Sequence, residues 1–126
     1  MKILCIDDTG LFLHLLNKQL QILGFHDVIQ CNNIHRGMEL LVNDAKIGLV
    51  FSDLWMSAGS GIDFLTQIRH HPVERIRKVP FIMVTSENKS SLVMEAAKLG
   101  LNGYLCKPIP IEVLKAKMDS LFPPSD

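Results

Sequence analysis

Polar residues of one chemical kind close a series of short apolar runs: Asp7 and Asp8 follow Lys2 to Ile6, Asp53 follows Ile47 to Ser52, Thr85 and Ser86 follow Val79 to Val84, and Lys107 follows Gly103 to Cys106. Three carboxylates drawn into one crevice repel one another, which raises their proton affinity and disfavours the metal-free fold unless cations are present. A hard divalent ion with oxygen ligands offsets that repulsion. Magnesium prefers one or two carboxylates together with waters and phosphate oxygens to a full protein cage. Lys107 adds a fixed positive charge suited to a phosphate, and Thr85 a hydroxyl donor. Together these residue types fit chemistry on a phosphoryl group at a magnesium site.

Each residue also has a plainer explanation. Asp8 and Thr85 are common helix N-cap types, and a single lysine such as Lys107 is usually just solvated. Their convergence depends on the elements that carry them. The runs Lys2 to Ile6, Val28 to Cys31, Ile47 to Ser52, Val79 to Val84 and Gly103 to Cys106 read as strands, several of them apolar on both faces. Strands of that kind belong to a parallel sheet covered by helices on both sides.

Helical patterns alternate with the strands. Leu11 to Leu23 places Phe12, Leu15, Leu16, Leu20 and Leu23 on one stripe before Gly24, which leaves Leu11, Leu13 and Ile22 facing outward. Further helices are expected over Ile34 to Val42, Gly61 to His70 and Ser90 to Leu99, and over Pro110 to Leu121, where the proline suits a first turn. The chain is therefore expected to be a doubly wound (βα)5 three-layer sandwich. In such sheets ligands bind beyond the carboxyl ends of the strands, where the polar residues stand. A single domain over 1–122 is expected, with 123–126 as a tail or the start of a linker.

Bulk properties narrow the classes. Lys plus Arg and Asp plus Glu each number 13 in the 126 residues, so there is no basic excess for nucleic acid. Cys5, Cys31 and Cys106 are odd in number and far apart, and read as small buried hydrophobes in a reducing compartment. No apolar stretch approaches the ~20 residues of a membrane span, and no charged-then-apolar leader opens the chain, so a cytoplasmic location is expected. His14, His26 and His35 read as surface residues, and His70 and His71 end a helix without metal-ligand spacing.

The motifs Asp7-Asp8, Ser52-Asp53, Val84-Thr85-Ser86 and Gly103-Tyr104-Leu105-Cys106-Lys107-Pro108 resemble those of the response-regulator receiver family of two-component signalling, in particular its single-domain chemotaxis regulators. The resemblance covers essentially the whole chain. It implies a flavodoxin-like fold with a five-stranded parallel sheet in the order 2-1-3-4-5. It also implies that Asp53 accepts a phosphoryl group from a histidine kinase or a histidine phosphotransfer protein. Asp8, Asp53 and the backbone carbonyl of Trp55 would hold Mg2+, with Asp7 acting through a water. Lys107 and Thr85 would hold phosphoryl oxygens, and Lys107-Pro108 would be a cis peptide. Thr85 and Tyr104 would switch the face made by the fourth helix, fifth strand and fifth helix, which changes its downstream effector. Such a domain is a monomer or a phosphorylation-dependent dimer, and supports only its own phosphorylation and dephosphorylation. A half-buried strand aromatic is the plainer reading of Tyr104.

There are departures from the family pattern. Ser57 stands where the family usually has a proline, and Trp55 lies two residues past Asp53, where the family tunes dephosphorylation. Trp55 either shields the acyl phosphate or fills a surface groove. The outward apolar residues of the first helix fit a docking surface for the phosphodonor. Among rivals, a haloacid-dehalogenase-type phosphatase needs a second aspartate two residues past its nucleophile, and Asp7-Asp8 lacks that spacing. No phosphate loop of the flavodoxin or Walker kind follows the first strand. A pseudo-receiver that only docks proteins is the remaining alternative.

Overall fold

In a computed structural model of the chain, residues 1–56, 59–86 and 90–124 are described. Ser57 lies outside them. The elements are β1 (Lys2–Ile6), α1 (Gly10–Ile22), β2 (Val28–Cys31), α2 (Ile34–Asn43), β3 (Ile47–Ser52), β4 (Trp55–Met56), β5 (Gly59–Ser60), α3 (Gly61–Arg69), α4 (Glu74–Arg77), β6 (Phe81–Thr85), α5 (Ser90–Lys98), β7 (Gly103–Cys106) and α6 (Ile111–Leu121). The five long strands form one parallel sheet in the order β2-β1-β3-β6-β7. This is the expected 2-1-3-4-5 order once the two-residue strands are set aside, and the fold is flavodoxin-like.

Alternation along the strands divides the core into two. Leu4, Ile6, Val50, Phe81 and Met83 face α2, α3 and α5, meeting Leu41, Phe64, Leu65, Ile68 and Ala96. Ile3, Cys5, Leu49, Phe51, Ile82 and Val84 face α1 and α6, meeting Leu13, Leu16, Leu20, Leu114 and Met118. Because successive side chains point to opposite faces, a strand covered on both must be apolar throughout. Burying each large side chain contributes roughly 1.5–3 kcal/mol. Phe64 and Phe81 add an edge-to-face contact, with ring centroids 5.9 Å apart.

Local chemistry sets the helix ends. Asn33 caps α2 by accepting from the Arg36 N–H at 2.8 Å, and Ser60 and Asp63 form a reciprocal capping box on α3. At the end of α1, Gly24 takes φ 96°. There the Gly24 N–H donates to the Gln21 carbonyl and the Phe25 N–H to the Leu20 carbonyl, a Schellman closure. Pro110 is the N-cap of α6, one residue outside the helix in which it was expected to sit.

The structure corrects several expectations. Leu13 is 7% exposed and in the core, whereas Leu15 is 50% exposed, so the stripe of α1 is rotated from the expected one; Leu11 and Ile22 do face outward. Cys5 is buried, but Cys31 is only partly so and Cys106 is exposed. Neither Asp8 nor Thr85 is an N-cap: Thr9 holds that position on α1, and Thr85 lies within β6. The fourth long strand starts at Phe81, two residues later than expected, and the β4–β5 hairpin and α4 were not anticipated. Among the described residues no helix is long and apolar enough to cross a membrane.

Candidate functional site

The parallel sheet brings the carboxyl ends of β1, β3, β6 and β7 to one edge. Asp7 and Asp8 follow β1 directly, Asp53 follows β3, Thr85 ends β6, and Lys107 follows β7. Strand pairing holds these positions in register. The Asp53 N–H donates to the Ile6 carbonyl at 3.0 Å, the Asp7 N–H to the Cys31 carbonyl at 3.2 Å, and the Lys107 N–H to the Thr85 carbonyl at 2.9 Å. Asp7, Asp53 and Lys107 are thus anchored by their backbones to the neighbouring strands.

Asp7, Asp8 and Asp53 each offer a carboxylate oxygen, and these oxygens lie within 4.8 Å of one another. Asp7 is 1% exposed and Asp53 9%, while Asp8 faces solvent. The Lys107 ammonium enters between them, 2.6 Å from Asp7 Oδ2 and 3.5 Å from Asp53 Oδ2. One lysine cannot neutralise three carboxylates. A hard oxygen-rich cluster with surplus negative charge and one solvent-facing member fits a small divalent cation such as magnesium.

The two inner carboxylates are oriented by backbone donors. Asp7 Oδ1 accepts from the Thr9 N–H and Asp53 Oδ1 from the Leu54 N–H, both at 2.8 Å. Burial first, and then the neighbouring Asp7 charge, push the Asp53 carboxyl above the usual carboxylate range; Lys107 and the Leu54 N–H oppose the shift. The Ser52 hydroxyl donates to the Asp53 carbonyl at 2.9 Å.

Other expected positions fall around this centre. Thr85 is buried at the end of β6. Tyr104 is half-buried, opposite Met83, and packs on the core. The Lys107-Pro108 peptide is cis. Trp55 is 53% exposed in β4, which pairs with β5 just ahead of the capped start of α3.

Two participants are absent from the set drawn from the sequence. Gly61, at the first turn of α3, lies directly against the Asp53 backbone: a Cβ there would collide with the Asp53 carbonyl oxygen and come within 2.5 Å of Met83 Sδ. Its N–H donates to the Leu54 carbonyl at 2.7 Å. The ring of Phe12 lies against the Lys107 ammonium, 4.1 Å from nitrogen to ring centroid. The glycine opening the expected helix Gly61 to His70 was a legible signal, but the phenylalanine looked like any core residue.

A model of the response regulator receiver domain matches residues 3–119, and the chain belongs to that family. It is 33% identical over 122 residues to the chemotaxis protein CheY of Pseudomonas aeruginosa, covering 97% of this chain and 96% of that one. Against CheY1 of Helicobacter pylori the identity is 29% over 126 residues, the full length of both. Among solved structures, a two-component response regulator from Clostridium difficile aligns with a TM-score of 0.84 at 25% identity, covering 96% of this chain and 94% of that one. Vibrio cholerae CheY4 aligns with a TM-score of 0.85 at 21% identity, over 96% and 98% of the two chains, a likeness of fold.

Proposed function

We propose that Asp53 is the phosphoryl acceptor of this receiver domain, with Asp7, Asp8, Thr85 and Lys107 as its supporting groups. The observation that carries the reading is the position of Lys107, whose ammonium reaches both Asp7 and Asp53 within a cluster of three carboxylates. An Asp53 carboxylate oxygen attacks the phosphorus of a phosphohistidine; the O–P bond forms as the P–N bond breaks, and the histidine nitrogen leaves with its electron pair. The product is an acyl phosphate on Asp53.

Transfer of this kind needs in-line positioning and charge neutralisation more than covalent help from the protein. The Leu54 N–H holds one Asp53 oxygen, while Lys107 faces the other. Lys107 and the Thr85 hydroxyl would take up phosphoryl oxygens. Asp8, Asp53 and the Trp55 carbonyl would hold magnesium, with Asp7 one water further out. When bound, magnesium supplies the remaining positive charge for the carboxylates and the phosphoryl oxygens.

The donor class is a histidine kinase or histidine phosphotransfer protein. Thr85 and Tyr104 would transmit the change to the face of α5, β7 and α6, where a downstream protein docks. The matched relatives are named as chemotaxis proteins, which supports a place in such a signalling circuit and a cytoplasmic site of action.

The test is incubation with acetyl phosphate, with and without magnesium, followed by intact mass. A phosphoryl adduct that requires magnesium and is absent in Asp53→Asn supports the reading. No adduct on the native chain overturns it in favour of a docking-only module.

A further inference from the structure

Lys107 is held by more than carboxylates. While its ammonium bonds Asp7 at 2.6 Å and reaches Asp53 at 3.5 Å, it also lies over the Phe12 ring, 4.1 Å from the centroid. A cation over an aromatic face is attracted by the ring quadrupole, more strongly where water is partly excluded. The Lys107 side chain is 19% exposed.

Phe12 comes from the first turn of α1, and Asp7 Oδ1 holds the Thr9 N–H at the start of that helix. The same carboxylate therefore pairs with the lysine and fixes the helix that presents the ring. The ring is partly buried, with one part packed on the core shared by α1 and α6 and one face toward the lysine. Phe12, Leu16, Phe51 and Val84 line the approach to Ser52 and Asp53 with no room for a water molecule between them, so the ring shields that side of the site from solvent.

We infer that Phe12 is a positioning residue for Lys107, confining its ammonium to the inner wall of the crevice beside Asp53. This rests on the phosphoacceptor reading. A lysine has a long flexible stem, and a charge already confined before transfer has less freedom to lose in the transition state. Leucine at position 12 keeps much of the apolar volume but has no quadrupole; tyrosine keeps both ring and quadrupole.

The experiment compares the native chain, Phe12→Leu and Phe12→Tyr, each verified as folded by circular dichroism, with acetyl phosphate and magnesium chloride. The phosphorylation rate is read by intact mass over a donor series. The expected result is a maximal rate roughly 3- to 10-fold lower for Phe12→Leu, with Phe12→Tyr within about twofold of native. A second readout needs neither donor nor metal: urea unfolding of the native chain, Phe12→Leu, Lys107→Met and the double variant. Coupling of roughly 2- to 30-fold in the folding equilibrium is expected between positions 12 and 107.

Equal phosphorylation rates in native protein and Phe12→Leu, or absence of coupling, overturn the proposal and leave Phe12 as a core residue. A native chain that takes no phosphoryl group overturns the phosphoacceptor reading itself, a result distinct from normal phosphorylation in Phe12→Leu.

Discussion

At the scale of the residue, Asp53 meets opposing demands: as the proposed phosphoryl acceptor it would have to be ionised to attack phosphorus, yet it is buried beside Asp7. Its raised pKa means that the folded chain binds this proton more tightly than the unfolded chain does. The resulting stabilisation is fully present below the ordinary carboxylate pKa and is lost as the pH rises through the raised value. Asp53→Asn removes the ionisation, so without magnesium its melting temperature should exceed the native one by roughly 2–5 °C at neutral pH, the gap closing as the pH falls toward the carboxylate range. Asp8→Ala should also stabilise the metal-free fold while abolishing phosphorylation. Calorimetry across pH checks both, and lower melting temperatures in the variants would contradict the repulsion. Trp55, exposed beside the site, is expected to shield the acyl phosphate from water. Trp55→Asn should shorten the phosphoryl lifetime several-fold, measured by decay of the adduct mass; an unchanged lifetime assigns the indole to the surface alone.

At the scale of the element, the site depends on how closely α3 approaches β3. Because a Cβ on Gly61 meets the Asp53 carbonyl and Met83 Sδ, Gly61→Ala should cost about 1–3 kcal/mol and slow phosphorylation by displacing Asp53, measured by urea unfolding and adduct formation. The observed stripe of α1 differs from the one expected from spacing at Leu13, which is buried, and Leu15, which is exposed. Leu13→Ala should cost about 2–5 kcal/mol, whereas Leu15→Ala should stay within about 1 kcal/mol. At the opposite end of the sheet, Arg69 ties several elements together. Its guanidinium donates to the carbonyls of Arg77, Val79 and Gly100 and to Asn102 Oδ1, which in turn accepts from the Phe81 N–H. This clamp orders the segment that leads into β6, and hence the strand that delivers Thr85.

At the scale of the whole molecule, the acidic crevice couples ligand to stability. A cation held by Asp8 and Asp53 in the folded chain stabilises it by about 1.4 kcal/mol at ten times its Kd. Magnesium should therefore raise the melting temperature of the native chain more than that of Asp8→Ala or Asp53→Asn, and equal shifts would mean that it binds elsewhere. Phosphorylation of Asp53 would act at the same edge of the sheet, and Thr85 and Tyr104 lie on adjoining strands that lead from it to the α5, β7 and α6 face. On the proposed reading, phosphorylation-dependent self-association would use that face, and a shift to a smaller elution volume after acetyl phosphate treatment, absent in Asp53→Asn, is the outcome expected from chromatography.

The five long strands, to within two residues, and the acidic and basic residues that close them were legible in the linear chain, whereas the strand order came from the family resemblance. Strands covered on both faces must be apolar throughout, and a carboxylate or lysine closing such a run stands at the sheet's functional edge. Asp7, Asp8, Asp53, Thr85 and Lys107 could be read on that basis, with the family resemblance assigning their roles. What depended on tertiary structure was rotation and close approach. The side of α1 that is buried is set by its packing on β1 and β3, so helical spacing alone could not choose between Leu13 and Leu15. The contacts of Gly61 with Asp53 and of Phe12 with Lys107 join residues from separate elements, and no local pattern encodes a distance between residues that only the folded sheet brings together.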